Sequence, residues 1–261
     1  MLSGKTRWAV QALMFAIACC GLSVPAQAGV TIAGTRVIYP AQQREVAVKL
    51  NNAGTQPALV QVWVDDGDPK QSPDTSKAPF LVSPPVVRIE AGKGQTLRLV
   101  YGPTSSGTAA PVGRESVYWL NVLEVPPNAN PASTTPAEAD QNHLQVAFRT
   151  RIKVFLRPQG LAGDPEAAAR GLRWRVVRAG DTGWALECSN PGAFHVSFAR
   201  VALSIGGREY HFDSAGMLAP GANLRLDLAQ LSAPPPAGTP VAYSIINDYG
   251  GRTELQGQTA D

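Results

Sequence analysis

Apolar residues recur at every second position through most of this 261-residue chain, and this spacing constrains the fold more than any other feature. A period of two is typical of a β-strand with one buried face, whereas an amphipathic helix repeats every three or four residues. Clear examples are residues 46–50, 60–64 and 97–101. Turn signals rich in glycine and asparagine follow such segments, as at residues 51–54 and 90–94. Short strands at this spacing predict an all-β sandwich.

The chain is long enough for two domains, and a break in the strand pattern indicates where they meet. The sequence RPQG at 157–160 interrupts the pattern. Asp164 followed by Pro165 then predicts a short helix, with aspartate as its cap and proline at its first position. Strand patterns resume beyond this helix and continue to the end. We therefore predict one sandwich at residues 29–157 and a second at 158–261.

The first 28 residues have the organisation of a secretory signal peptide. Lys5 and Arg7 supply positive charge, residues 8–22 are mostly apolar, and Ala-Gln-Ala at 26–28 is typical of a cleavage site. We predict that the mature protein is secreted, begins at Gly29 and keeps no integral membrane segment, because the apolar run is short for a span. A retained anchor, or lipid attachment at a cysteine within the apolar run, are the alternatives.

Composition and motifs argue against an enzyme, a metalloprotein or a nucleic-acid-binding protein. The net charge of +3 is too weak to indicate binding to nucleic acid or to a membrane surface. The motifs GxSxG, HExxH and CxxC are absent. His143, His195 and His211 lack neighbours at metal-ligand spacing, so we interpret them as surface or sheet-face residues. Cys188 is the sole cysteine after signal cleavage, and we predict a small buried residue in a strand. We expect no catalytic residue, no cofactor and no metal.

Residues 116–125 form one long strand candidate, which Pro126 and Pro127 end. A second predicted strand, at residues 144–156, is unusually long. Its thirteen residues would extend about 43 Å, whereas five or six residues are usual for a strand. Its apolar side chains fall on one side, interrupted only by a threonine, and are Leu144, Val146, Phe148, Ile152 and Val154. Two interpretations stay open: the whole apolar row is core, or part of it forms an exposed edge that binds a partner. An exposed edge would also allow the free protein to self-associate.

Five segments follow the order of the signature segments of one known family. They are residues 34–40 (GTRVIYP), 114–127 (RESVYWLNVLEVPP), 151–158 (RIKVFLRP), 189–198 (SNPGAFHVSF) and 246–251 (INDYGG). In these segments, across almost the whole mature chain, the sequence resembles the PapD-like family of periplasmic pilus chaperones. The resemblance implies two immunoglobulin-like β-sandwich domains at an angle, with a cleft between them. It also implies a periplasmic location.

The resemblance further implies how such a protein acts. A pilin subunit of this class lacks its last strand, and the chaperone completes the subunit by inserting its own long edge strand. Leu144, Val146 and Phe148 would be the donated side chains. Arg36 and Lys153 would hold the carboxylate at the end of the subunit chain in the cleft, through charge-assisted hydrogen bonds. The partners implied are pilin subunits and an outer-membrane usher that receives them.

Three charged residues match the interdomain ionic cluster of the family: Glu115, Arg157 and Asp248. One cation between two carboxylates would fix the angle between the domains, with little net stabilisation because desolvation offsets attraction. The region between Pro127 and Leu144 departs from the family pattern, since it is longer than in short-loop members and lacks cysteines. This departure raises the alternative of a branch that serves archaic or spore-coat-like pili, in which the carboxylate anchor would differ.

Two rival interpretations belong to other functional classes. A structural pilin or adhesin with tandem sandwiches would assemble with itself, and a secreted hydrolase would carry a catalytic constellation in the cleft. The chain has no second donor segment near Gly29, which argues against a pilin, and the sequence offers no convincing catalytic set. The chaperone interpretation is therefore preferred.

Overall fold

The computed structural model describes residues 29–102, 112–125, 146–180, 183–229, 231 and 233–260. The predicted signal peptide, the predicted loop at 128–143 and Leu144 lie outside the described residues. Within those residues the chain is all-β, as predicted, apart from one short helix.

The strands of the first domain are β1 (Val30–Ile32), β2 (Arg36–Pro40), β3 (Val46–Asn52), β4 (Ala58–Asp65), β5 (Phe80–Ser83), β6 (Val86–Ile89), β7 (Gly94–Tyr101), β8 (Ser116–Val125) and β9 (Phe148–Arg157). The helix α1 (Pro165–Arg170) follows. The strands of the second domain are β10 (Arg173–Ala179), β11 (Gly183–Ser189), β12 (Val196–Ile205), β13 (Arg208–Leu218), β14 (Asn223–Asp227), β15 (Pro240–Ile246) and β16 (Arg252–Ala260).

The first domain is a sandwich of two sheets, with strand orders β1-β3-β7-β5 and β2-β9-β8-β4-β6. The period-two residues of the sequence form its core: Val60 and Val62 of β4 face Leu97 and Leu99 of β7, and all four are buried. The N-terminal segment divides between the sheets, because β1 pairs with β3 whereas β2 pairs with β9. The β2–β9 pair is parallel and sets Arg36 of β2 opposite β9 near the cleft.

The second domain encloses its own core within one continuous sheet of seven strands, ordered β13-β12-β15-β16-β10-β11-β14. Trp174 of β10 and Leu186 of β11 pack against Phe198 of β12 and Tyr243 of β15, so the two ends of the sheet face each other. A short parallel contact between β10 and β16 joins the two halves. Cys188 is fully buried in this core, which confirms its interpretation as a small buried residue.

The predicted helix and the first long strand are confirmed, whereas the second long strand is shorter than predicted. Asp164 caps α1 by accepting a hydrogen bond from the backbone N–H of Ala167 at 2.7 Å. β8 has the predicted limits, but β9 begins at Phe148, and Val146 lies before it. Glu124, the next-to-last residue of β8, pairs with Phe148, the first residue of β9. No helix within the described ranges is long and apolar enough to cross a membrane.

Candidate functional site

A cleft of about 360 Å³ lies where the two domains meet. The first domain contributes Arg36 from β2 and Phe155 from β9, and the second contributes Ser197 from β12 and Ile246 from β15. The charged side chains of the lining are two arginines, Arg36 and Arg157, and four carboxylates, Glu115, Asp164, Glu166 and Asp248.

Arg36 and Lys153 lie side by side, because β2 and β9 run parallel with these two residues in register. Arg36 lines the cleft, whereas Lys153 lines a neighbouring pocket of about 340 Å³ that shares Ser197 and Ile246 with it. The Arg36 Nη1 donates a hydrogen bond to the carbonyl oxygen of Ile246 at 2.8 Å. The Lys153 Nζ donates to the Ser197 Oγ at 3.1 Å. The Arg36 Nε is buried and has no hydrogen-bond partner among the described residues. An unsatisfied buried donor is costly, so this nitrogen favours an acceptor that enters the cleft.

Burial affects both Arg36 and Lys153. It lowers the pKa of Lys153 to about 8, and the nearby charge of Arg36 adds to the effect. Burial also lowers the pKa of Arg36, although Asp248 and Glu115 oppose the shift. Two neighbouring cations that repel each other and are partly removed from water are stabilised by a shared anion. The pair can therefore bind a carboxylate through charge-assisted hydrogen bonds.

The three residues predicted as an ionic cluster lie together. The Arg157 guanidinium donates to Glu115 Oε1 from Nε at 3.0 Å and from Nη2 at 2.8 Å. It also donates to both carboxylate oxygens of Asp248, at 2.8 and 3.1 Å. Arg157 and Glu115 belong to the first domain and Asp248 to the second, so the contacts cross between the domains. Both carboxylates raise the pKa of Arg157 against the lowering effect of burial, and the arginine stays charged.

His195 is a fourth member of this cluster, and its interpretation as a surface or sheet-face residue is wrong. Its backbone N–H donates to Glu115 Oε2 at 2.9 Å, and its Nδ1 lies 3.0 Å from the same oxygen. The side chain is almost completely buried. The only signal in the sequence was its position within the 189–198 signature segment, because the partner carboxylate lies 80 positions away.

The N-terminal half of β9 has a free edge within the described part of the chain. β8 pairs with β9 from Phe148 onward, but β2 pairs only from Lys153 to the end of the strand. The segment from Phe148 to Ile152 therefore has a strand on one side only. This free edge leads directly into the Arg36–Lys153 pair, because Lys153 is the next residue.

The apolar row along β9 is partly core and partly exposed. Ile152 and Val154 are buried in the sandwich, whereas Phe148 is 67% exposed and Val146 is 49% exposed. Leu144, the third predicted donor, lies outside the described residues. Neither of the two simple interpretations covers the whole row, since burial begins at Ile152, next to the residue where β2 starts to pair with β9. Exposed apolar side chains beside an unpaired strand edge are uncommon in a monomer and mark interaction sites.

Comparison with known proteins identifies the family. Residues 29–162 match the family described as pili and flagellar-assembly chaperone, PapD N-terminal domain. Residues 167–257 match the pili assembly chaperone PapD, C-terminal domain. The chain belongs to the PapD family of pilus-assembly chaperones. The resemblance noted in the sequence is thereby confirmed, as is the arrangement of two family domains.

Relatives of this PapD-family chain share most of its length. It is 41% identical over 239 residues to the probable fimbrial chaperone YadV of Escherichia coli K12, covering 91% of this chain and 93% of the relative. It is 40% identical over 240 residues to the chaperone protein FimB/FhaD of Bordetella pertussis, covering 92% of each.

Solved structures agree with these sequence comparisons. The crystal structure of the YadV chaperone has a TM-score of 0.71 and 39% identity, and covers 88% of this chain and 100% of that one. The Salmonella enterica SafB chaperone was solved in complex with the SafA pilin. That structure has a TM-score of 0.68 and 29% identity, and covers 90% of this chain and 98% of that one.

Proposed function

We propose that this protein is a periplasmic chaperone that captures pilin subunits by lending them the free edge of β9. The observation that carries the proposal is the continuity of this edge, from Phe148 to Ile152, with the adjacent cations Lys153 and Arg36. Family membership and the SafA–SafB complex of a relative support pilins as the partner class. The protein would act by binding alone, without catalysis and without a cofactor.

Strand addition suits the geometry of β9. A subunit that lacks a strand exposes unpaired backbone groups and an open apolar core, both of which cost free energy in water. The edge of β9 offers backbone donors and acceptors on the side away from β8. Val146 and Phe148 offer apolar side chains that would fill the subunit core, and we propose that Leu144 extends this row.

The carboxylate at the end of a subunit would bind Arg36 and Lys153. From Phe148 to Lys153 an extended chain covers about 17 Å, so the anchor lies at a fixed distance from the donated side chains. This fixed distance would set the register of the added strand. Register matters because a shift of one residue would turn every donated side chain away from the groove.

The remaining parts of the chain support this role. We propose that the cluster of Arg157, Glu115 and Asp248 fixes the orientation of the domains around the cleft, and that the domains span residues 29–157 and 158–261. We also propose that residues 1–28 direct export and that an outer-membrane usher receives the loaded subunit. Release would then follow from the more favourable contacts between polymerised pilins.

Co-purification from the periplasm tests the proposal. The tagged chaperone is expressed with candidate pilin subunits, and a Val146→Asp, Phe148→Asp double variant is compared with wild type. Leu81→Asp is the matched control, since Leu81 is 72% exposed on β5, an edge strand of the other sheet. Circular dichroism checks that all three proteins fold.

We expect wild type and the control to retain a subunit and the double variant to lose it. Equal binding by all three would show that β9 is not the donated strand. Self-assembly of the wild-type protein without any subunit would instead favour a structural pilin or adhesin.

A further inference from the structure

The outer face of the five-stranded sheet carries a buried carboxylate that the proposed function leaves unused. The side chain of Asp65, the last residue of β4, is fully buried, and carboxylates are rarely buried without partners. Its oxygens accept hydrogen bonds from the Asn121 side chain of β8 at 2.7 Å and from the backbone N–H of Gly67 at 2.8 Å. From β9, the Arg151 Nε lies 3.0 Å from Oδ2, and the Arg149 Nη2 lies 3.6 Å from the same oxygen. One carboxylate thus connects three neighbouring strands.

The two arginines are held by further contacts. Arg149 donates to the Asn121 Oδ1 from Nε at 2.9 Å and from Nη2 at 2.6 Å, and to the carbonyl oxygen of Pro69 at 2.7 Å. Its guanidinium lies 4.6 Å from the ring centroid of Trp63. The guanidinium of Arg151 lies 4.4 Å from the ring centroid of Trp119. Cation–π contacts at these distances are attractive, so both side chains are fixed to the sheet beneath them.

These arginines belong to the half of β9 that has the free edge. β2 begins to pair only at Lys153, so the segment before it is attached to the sheet by β8 alone. On the other side of the strand, Phe148 and Thr150 are exposed and contribute little packing. The contacts of Arg149 and Arg151 with Asp65, Asn121 and the two tryptophans are therefore the main side-chain attachment of residues 148–151 within the described residues.

We infer that Asp65 is a positioning residue: through Arg149 and Arg151 it holds the free half of β9 extended before a subunit arrives. The inference rests on the proposed function, since it explains how the donated strand is kept ready. A segment that becomes ordered only on binding loses conformational entropy at that moment and binds more weakly. A strand that is already held extended avoids this loss.

Asp65 keeps its charge at neutral pH. Burial alone would raise the pKa of Asp65, but hydrogen bonds from Arg151 and Asn121 outweigh this effect and hold the pKa below its usual value. The attachment of β9 therefore persists over the physiological pH range. Loss of the charge by mutation is the direct way to weaken it.

A pair of matched substitutions tests the inference. Asp65→Asn removes the charge with little change in volume. Glu187→Gln is the control, since Glu187 is also buried and bound by two arginines, Arg175 at 2.7 Å and Arg225 at 3.4 Å, but lies in the second domain. Should Asp65→Asn fail to fold, Arg149→Met removes one arm and leaves the carboxylate paired with the other arginine.

Two readouts separate positioning from a general structural role. Hydrogen exchange of the free chaperone measures backbone order along β9, and titration with a purified pilin subunit measures affinity. We expect Asp65→Asn to exchange faster at residues 148–152 while the region around Val154 stays protected, and to bind the subunit about tenfold more weakly. Glu187→Gln should match wild type within about twofold.

Unchanged exchange at residues 148–152, or unchanged affinity despite faster exchange, would overturn the inference. Faster exchange throughout the first domain would reduce Asp65 to a general structural residue and would also overturn it. Failure of the proposed function looks different, because wild type itself would then bind no subunit. In that case the exchange pattern alone decides whether Asp65 holds the strand.

Discussion

Replacing Arg157 by methionine would remove the cation between Glu115 and Asp248 while keeping an unbranched side chain of similar length. The Glu115 side chain is only 1% exposed and would lose two hydrogen bonds, at 3.0 and 2.8 Å. Removing one partner of a buried ion pair typically costs about 3–5 kcal/mol. Because Asp248 can turn towards water and His195 still donates to Glu115, we expect the lower end, about 3 kcal/mol.

Urea unfolding at pH 7, followed by tryptophan fluorescence, measures this loss of unfolding free energy. Asp248→Asn is the comparison, since Asp248 is partly exposed and its loss should cost less than about 1 kcal/mol. The double variant Arg157→Met, Glu115→Gln removes the buried charge as well and should be more stable than Arg157→Met alone. A cost below about 1 kcal/mol for Arg157→Met, or a double variant no more stable than the single one, would refute the reasoning.

Three further changes test the effects of burial elsewhere. Burial lowers the pKa of Lys153 to about 8 in the folded protein. Between pH 8 and about 10.5 only the unfolded chain keeps this proton, so the free energy of unfolding of the wild type should rise over that range. Lys153→Met should abolish the rise. Because burial raises the pKa of the Cys188 thiol to about 12, a thiol reagent at pH 8 should label urea-unfolded protein but not native protein. Gly257→Ala should cost about 1–3 kcal/mol in urea unfolding, because its methyl group would lie 2.8 Å from the buried Trp174 ring. Gly251→Ala, with its nearest neighbour at 3.4 Å, is the control. A flat pH profile, rapid labelling of native protein, or equal costs for the two alanines would contradict these expectations.

The strands and the helix were predictable because their signals are local. The strand candidate at residues 116–125, ended by two prolines, predicted β8 with its observed limits, and the Asp164–Pro165 pair predicted the start of α1. The start of β9 was not predictable from the apolar row, since that row continues without a break through residues 144–148. The parallel contact of β10 with β16, which closes the second domain into one sheet, joins segments some 85 positions apart and leaves no trace in either pattern.

The residues of the candidate site also differ in whether the sequence predicted them. The resemblance supplied Arg36, Lys153 and the ionic cluster, and their roles stay predictions although the structure brings the residues together. His195 and Asp65 were missed because their partners, Glu115 and Arg151, lie 80 and 86 positions away. The role of Leu144, the signal cleavage and the suggested archaic or spore-coat-like branch also stay predictions.

Hydrogen exchange on a purified complex with a pilin subunit tests strand donation most directly. The measurement compares residues 148–152 of β9 with residues 86–89 of β6, the opposite edge of the same sheet, in free and bound chaperone. Strand donation predicts that backbone amides within 148–152 become strongly protected in the complex while those of β6 do not change. Protection at β6, or none at β9 in a complex that is stably formed, would contradict the account.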